Sequence, residues 1–214
     1  SFTLAVIPDL SAISLLQTIG LGIVFGALAS LFCRAMHVGG TLYKKIENPY
    51  LRIVVGGCIV VLLSLLTRSG EYNGAGMSVI SAALAGHAVP WAFALKIVFT
   101  VLTLGAGFKG GEIVPCFFVG ATCGCVVAPL LGMDAGFGAA LGLIAVFCGV
   151  TNSPMTSILL GYELFGGHGL ALLAMCAAVS YLLSGYSGLY HEQKIIYSKT
   201  SPVFIGRKGG EEKQ

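Results

Sequence analysis

The sequence predicts an all-α, polytopic membrane protein, and three observations support this fold class. Of the 214 residues, 56% are hydrophobic and 10% are charged, with a mean hydropathy of +0.91. A soluble domain has about a quarter charged residues, so this chain has too few to cover a surface that faces water. Long segments lack Asp, Glu, Lys and Arg, and several reach the roughly 17–25 residues that a spanning helix needs. The 31 glycines are dispersed, and small residues let membrane helices pack closely.

The predicted helices follow the apolar segments in order. A polar loop at residues 39–49 separates the first two helices, and a charged tail at 192–214 follows the last long one. The predicted helices at 76–86 and 154–165 are too short to span a bilayer, which is typical of the broken helices at transporter binding sites. We therefore predict helices at about 11–38, 50–68, 76–86, 90–108, 112–131, 136–151, 154–165 and 168–186, then a short one after Tyr197.

Two domains and their orientation follow from the same pattern. Residues 1–191 are predicted to form a transmembrane domain of about eight helices, and residues 192–214 the short helix and a polar tail. The first loop has more basic than acidic residues, and the tail is also basic, so we expect both in the cytoplasm. The localisation predicted is the cell membrane, in a multi-pass topology. The basic residues of the first loop are Arg34, Lys44, Lys45 and Arg52, against Glu47.

Composition also excludes several kinds of site and partner. The net charge of +3, without a stripe of basic and aromatic residues, does not favour a nucleic-acid partner. The 7 cysteines lie mostly in apolar segments and never in C-x-x-C spacing, so we predict neither a disulfide framework nor a metal site. No cofactor is predicted.

Residues 110–115, Gly-Gly-Glu-Ile-Val-Pro, interrupt the apolar pattern. Pro115 fits the first turn of a helix, the glycines permit a sharp turn before it, and an acid suits the positive end of the helix dipole. We therefore predict that a helix starts near Glu112. If this start lies inside the bilayer, its N–H groups need an anion or a protein partner. The alternative is an interfacial helix start with Lys109 and Glu112 in water.

Four segments resemble the CLC family of chloride channels and anion/proton antiporters, in that family's order. GFKGGEIVPCFFVGATCG (107–124) is similar to the helix-N signature, with Ile113 in place of the usual Phe. NGAGMSVISAALAG (73–86) resembles the short L helix, and TNSPMTSILLGYELF (151–165) the P helix. KIIYSKT (194–200) resembles the stretch around the anion-site tyrosine.

This resemblance implies the broken and re-entrant helices of one CLC inverted repeat, the second of two. Segments of the first repeat, including the gating glutamate, have no counterpart in these residues. We therefore expect the chain to hold half of an anion site and to need a first-half repeat as partner. A homodimer packed partly through residues 154–186 is also implied.

The identity of residue 112 narrows the resemblance to one branch of the family. Chloride-handling members usually have an aliphatic residue there, whereas TLGAGFKGGE (103–112) is similar to the fluoride/proton antiporter branch. The family implies that the N–H groups of Glu112 and Ile113 and the hydroxyl of Tyr197 line the anion site, and that Glu112 takes part in proton movement. Val114 stands where many members of this branch have Thr. We expect half of a fluoride/proton antiporter exporting fluoride from the cytoplasm; the alternative is a chloride/proton antiporter or chloride channel.

An acid beside an anion site makes physical sense if the acid titrates. A carboxylate repels an anion, so desolvation and the neighbouring charge favour the protonated form. A protonated Glu112 can donate a hydrogen bond to fluoride, and the two ligands then favour each other's binding. Ionisable residues inside a membrane are functional candidates for this reason.

The remaining polar residues have less specific interpretations. Glu163 is a second acid that looks buried, and a structural hydrogen-bonding role is favoured for it. For Lys96, snorkelling to the interface is favoured over a place on the ion pathway. Ser187 lies in a G-x-S-G pattern like that of rhomboid proteases, but His191 lies in a predicted loop, so we do not predict an enzyme. A dimerisation scaffold without transport is a third alternative.

Overall fold

The computed structural model describes residues 2, 4, 6–186, 188–190, 193–199, 201 and 203–208, with the backbone alone for Lys194, Tyr197, Ile205, Arg207 and Lys208. These residues form eight α-helices, one turn of 3-10 helix (Ala128–Leu131) and one antiparallel pair of strands. The helices are α1 (Ala12–Lys44), α2 (Pro49–Thr67), α3 (Met77–Leu84), α4 (Ala92–Gly105), α5 (Ile113–Val127), α6 (Ala135–Thr151), α7 (Pro154–Phe165) and α8 (Leu170–Leu183). The strands are β1 (Lys194–Tyr197) and β2 (Phe204–Lys208).

Several helices begin at residues that satisfy their free N–H groups. Ser11 and Ser14 form a reciprocal capping box at the start of α1, with distances of 3.1 and 2.9 Å. Asn48 accepts from the first turn of α2, where Pro49 stands at the first helical position. Asp134 accepts from Phe137 N at 2.8 Å and caps α6. The chemistry of these caps explains why the predicted helix starts were close.

The all-helical prediction is confirmed for the membrane region, and two details of it are wrong. First, α1 continues to Lys44, beyond its predicted end at 38, because Gly39 packs against Val101 of α4 where a side chain would collide. Second, the short helix predicted around and after Tyr197 is replaced by the two strands. Tyr197 pairs with Phe204 across the strands, and a helix would leave no such partner.

The core of the fold is the contact between α5 and α6. Gly120 and Gly124 of α5 face Gly142 and Gly138 of α6, and a Cβ atom at any of these positions would run into backbone or a buried side chain of the other segment. The two helices therefore touch through their backbones, as small residues permit in membranes. α1 packs against α6 and α8, and α4 packs against α1 and α5.

Three helical segments in the described part of the chain are long and apolar enough to cross a membrane. They are Ala12–Lys44, Pro49–Thr67 and Ile113–Leu131, the last combining α5 with the 3-10 turn. α2 lies at the periphery, because Gly56 is its one buried residue over the fully described range Pro49–Thr67. Its apolar side chains are therefore available to lipid.

Candidate functional site

The candidate site is the start of α5. α4 ends at Gly105, and Gly107 turns the chain with φ +101°, a conformation that favours glycine. Residues 108–111 are not helical, and α5 begins at Ile113 with Glu112 as its N-cap residue. The predicted helix start is thus confirmed to within one residue. Pro115 lies in the first turn, where it lacks an N–H that would need an acceptor.

Glu112 and Ile113 both stand at this helix start. Glu112 is half-buried, and Ile113 is 38% exposed. The carboxylate of Glu112 makes no capping bond to the N–H groups of its own helix. Its carbonyl oxygen instead accepts from Cys116 N at 3.4 Å and from Cys116 Sγ at 3.0 Å. The first N–H groups of a helix have no acceptor within it, so this end carries partial positive charge toward an anion.

A cavity of about 320 Å³ lies beside the helix start. The α2–α3 connection, α4 and the segment that leads into α5 form its wall. Both threonines of the wall donate to carbonyl oxygens within α4, and Lys96 donates to carbonyl oxygens of the α2–α3 connection. The lining residues are Tyr72, Asn73, Gly74, Ala75, Lys96, Phe99, Thr100, Thr103, Leu104, Lys109, Gly110, Gly111, Val114 and Pro115.

Lys96 is buried in the wall of this cavity, so its predicted snorkelling is wrong. The side chain is 2% exposed. Its Nζ donates to the carbonyl oxygen of Tyr72 at 3.1 Å and to that of Gly74, and lies 4.9 Å from the centroid of the Phe118 ring. Backbone carbonyls and an aromatic face replace the water that a snorkelling lysine would seek. Lys96 therefore ties the α2–α3 connection to α4, next to α5.

Tyr197 lies on β1, where the structure describes its backbone alone. Contacts of its neighbours fix the strand pair against α8. Lys199 Nζ donates to Tyr181 O at 2.6 Å and to Ser184 Oγ at 3.2 Å, and lies 4.0 Å from the centroid of the Tyr181 ring. Tyr186 Oη lies 2.9 Å from Ser198 Oγ. The segment that carries Tyr197 is therefore docked at the carboxyl end of α8.

Lys199 is a residue that sequence reasoning missed. Burial lowers its pKa to about 8, so it loses its proton closer to neutral pH than an exposed lysine does. It also faces the last carbonyls of α8, which attract a cation. The only hint in the sequence was its position two residues after Tyr197, because its partners in α8 are 15 and 18 residues away.

Two other predicted features have different outcomes. Glu163 is exposed on α7, so it is not buried within this chain, and its structural hydrogen-bonding role stays a prediction. Ser187 and His191, the pair of the rhomboid-like alternative, lie outside the described residues. Among the residues that are described, no group of three or more His, Cys, Asp or Glu could hold a metal ion.

Comparison with known proteins places these features in a family. Residues 2–185 match the family described as voltage gated chloride channel. A chloride/fluoride channel protein of Pseudomonas syringae pv. tomato is 38% identical over 193 residues, which is 87% of this chain and 43% of that protein. The ClC-type chloride channel ClcB of Salmonella dublin is 29% identical over 136 residues, 61% of this chain and 32% of that one.

A solved structure gives the same result. The crystal structure of a CLC-type fluoride/proton antiporter superposes with a TM-score of 0.82 at 34% identity, covering 86% of this chain and 47% of that one. The chain therefore spans about half the length of the Pseudomonas relative and of this antiporter. With the family match over residues 2–185 and the helix start at Glu112 in place, the chain belongs to the CLC family of voltage-gated chloride channels and antiporters.

Proposed function

We propose that this chain forms the second-repeat half of a fluoride/proton antiporter in the cell membrane, a multi-pass protein that exports fluoride from the cytoplasm. In this proposal the N–H groups of Glu112 and Ile113 and the hydroxyl of Tyr197 bind the anion. Glu112 also exchanges the proton. A first-half repeat completes the site, and two complete units form a homodimer.

One observation carries the proposal. An acid occupies the N-cap position of α5, half-buried, with its carboxylate unused in capping the helix that follows. A helix start attracts anions, so an acid placed there competes with the transported anion unless it is protonated. Coupling of proton and anion follows from this competition. The structural neighbour described as a fluoride/proton antiporter favours fluoride as that anion.

The proposal is tested by Glu112→Gln in the transporter completed with its first repeat. Gln keeps the shape and a hydrogen-bond donor but cannot titrate. We expect proton movement driven by a fluoride gradient to collapse, with folding and dimerisation intact. Fluoride and pH electrodes recording together on proteoliposomes measure both fluxes.

Glu71→Gln is the matched control, because Glu71 is an exposed acid on the α2–α3 connection. Unchanged coupled proton flux in Glu112→Gln would contradict the role of Glu112. Coupled transport of chloride but not fluoride in the unmodified protein would favour the chloride/proton antiporter. Selective fluoride efflux by the 214 residues without a first repeat would contradict the need for that partner.

A second variant tests the anion site itself. Tyr197→Phe removes one hydroxyl donor, and losing a hydrogen bond to a partly desolvated anion costs about 1–3 kcal/mol. We therefore expect weaker fluoride binding by isothermal titration, with unchanged folding. Tyr50→Phe, at an exposed position of α2, is the control. Equal affinities for Tyr197→Phe and the unmodified protein would show that Tyr197 only packs.

A further inference from the structure

An apolar groove runs along the outer face of α2. Its volume is about 620 Å³, and its walls are side chains of one stripe of α2 together with the Phe108 ring. The groove is concave at Gly57, where an added Cβ would lie 3.6 Å from the Phe108 ring. The lining residues are Ile53, Val54, Gly57, Cys58, Val61, Leu62, Leu65 and Phe108.

Arg52 stands at the end of this groove nearest the start of α2. It directly precedes Ile53 in the sequence, and its guanidinium covers Gly107, the residue before Phe108. The Nη2 atom lies 3.2 Å from the position that a Gly107 Cβ would take. The start of α2 and the α4–α5 connection, which form the groove, therefore also place the Arg52 guanidinium at one end of the groove.

The charge of Arg52 has no counterion among the described residues. Its Nε is buried without a hydrogen-bond acceptor, and none of the described acids forms an ion pair with it. An arginine cannot lose its proton in a protein, so the charge must be compensated from elsewhere. The side chain as a whole is partly exposed, so an anion can reach the guanidinium from outside.

Tyr43 of α1 has a second buried donor, close to Gly56 of α2. The residue is 8% exposed, and its buried hydroxyl has no partner in the described part of the chain. An added Cβ on Gly56, one helical turn after Arg52, would lie 3.4 Å from this hydroxyl. Buried polar groups are nearly always hydrogen-bonded, so the Arg52 Nε without an acceptor indicates an absent acceptor at the guanidinium.

The location points to the chemistry of that acceptor. Arg52 lies in the first turn of a helix long enough to span a membrane, at the depth of lipid headgroups. Lys44 and Lys45 are exposed at the end of α1, and Glu47 is the one acid between them and Arg52. Anionic headgroups are attracted to such basic segments, and the planar guanidinium fits a phosphate.

We propose that this place binds one anionic phospholipid, with its phosphate on Arg52 and an acyl chain in the groove along α2. A phospholipid supplies both features that the structure requires, an acceptor at the polar end and an apolar chain below it. Free phosphate would satisfy Arg52 but leave the groove empty. Phe108, at one wall of the groove, directly precedes Lys109, which lines the 320 Å³ cavity beside the start of α5.

The test is native mass spectrometry of the chain, with any accompanying chains, released from nanodiscs that contain phosphatidylglycerol or phosphatidylcholine. We expect one retained phosphatidylglycerol per chain and weaker retention of phosphatidylcholine. Arg52→Gln should weaken phosphatidylglycerol binding about fivefold or more, since one basic residue near the surface contributes about 1 kcal/mol. Arg52→Lys should recover part of it. Arg68→Gln, at the other end of the same helix, is the matched control and should change nothing.

A second variant keeps the proposal testable if Arg52→Gln fails to fold. Gly57→Leu fills the groove at a position where an added Cβ makes ordinary contact, and it should reduce lipid retention while Arg52 stays in place. Unchanged retention in both variants would overturn the proposal. If inorganic phosphate displaces the lipid and Gly57→Leu does not change lipid retention, the place is a site for an ion and the proposal is overturned. Crosslinking of a protein segment to Cys58 in the groove would assign a protein occupant and equally overturn it.

Discussion

α6 and α2 are apolar helices of similar length in opposite surroundings. Every residue of α6 except Ala135 is buried, whereas Gly56 is the one buried residue of α2. Hydrophobicity cannot separate the two, because lipid tails are as apolar as the protein core. Residue size does separate them, since α6 has glycines at 136, 138, 142 and 149 and α2 is rich in Val, Leu and Ile. In this chain, glycines that allow backbone contact distinguish the buried helix, whereas large apolar side chains occur both in the core and on the exposed face of α2.

The largest expected effect comes from adding a side chain at a glycine. Gly142→Leu drives a side chain into the Gly120 carbonyl of α5, where backbone cannot move away. We expect a loss of about 3 kcal/mol or more of unfolding free energy. Gly57→Leu on α2 is the matched control and should stay within about 0.5 kcal/mol. SDS titration in mixed micelles, followed by circular dichroism, measures both, and equal losses would contradict the comparison.

Removing a large side chain should have an intermediate effect. Leu143→Ala leaves a cavity in the core, because Leu143 is buried between helices. We expect a loss of about 1–3 kcal/mol, below the full cost in water because lipid surrounds the unfolded helices too. Leu62→Ala on α2 removes a side chain at an exposed position, where lipid can fill the space. It should change the free energy of unfolding little. A similar loss for Leu62→Ala in the same titration would mean that another chain covers α2.

The smallest effect concerns one interhelical hydrogen bond. Ser180 of α8 is buried and its Oγ donates to Ala145 O of α6 at 2.7 Å. Ser180→Ala should cost about 0.6 kcal/mol, the average for such bonds in membranes. Ser64→Ala on α2 is the control, since Ser64 Oγ donates to Val60 O of its own helix or to Asn73 Oδ1 of the following connection, and not to another helix. Thermal unfolding of the two variants beside the unmodified chain measures both losses, and an equal loss for Ser64→Ala would contradict a special role for the bond to α6.

The sequence predicted the features that depend on local chemistry. α7 has the predicted bounds, and α6 differs by one residue, because Pro154 and the capping residue Asp134 mark their starts. The start of α5 was predicted from the glycines and Pro115 for the same reason. The family's motifs also indicated the fold class, which the solved antiporter structure supports.

Features that depend on distant partners were not predictable. The carbonyls that hold Lys96 lie 22 and 24 residues away in the sequence, so nothing local distinguishes it from an interfacial lysine. Gly39 and Gly40 look like a helix break, but the contact of Gly39 with Val101 keeps α1 continuous. β1 needs β2 as its partner, and a short apolar run such as Lys194–Tyr197 is ambiguous by itself. The exposure of Glu163 could not be predicted from composition, because an acid in an apolar segment can face away from the rest of the chain.

The backbone contact of α5 with α6 has a mechanical consequence. Helices separated by side chains can slide when rotamers change, but backbones in direct contact cannot pass one another. Rotation of α5 about its axis would drive the residues beside Gly120 and Gly124 into α6. The pair is therefore a rigid body, and the helix start at Glu112 has a fixed orientation within it. The strand pair, which Lys199 joins to the end of α8 through two hydrogen bonds, is not under this constraint.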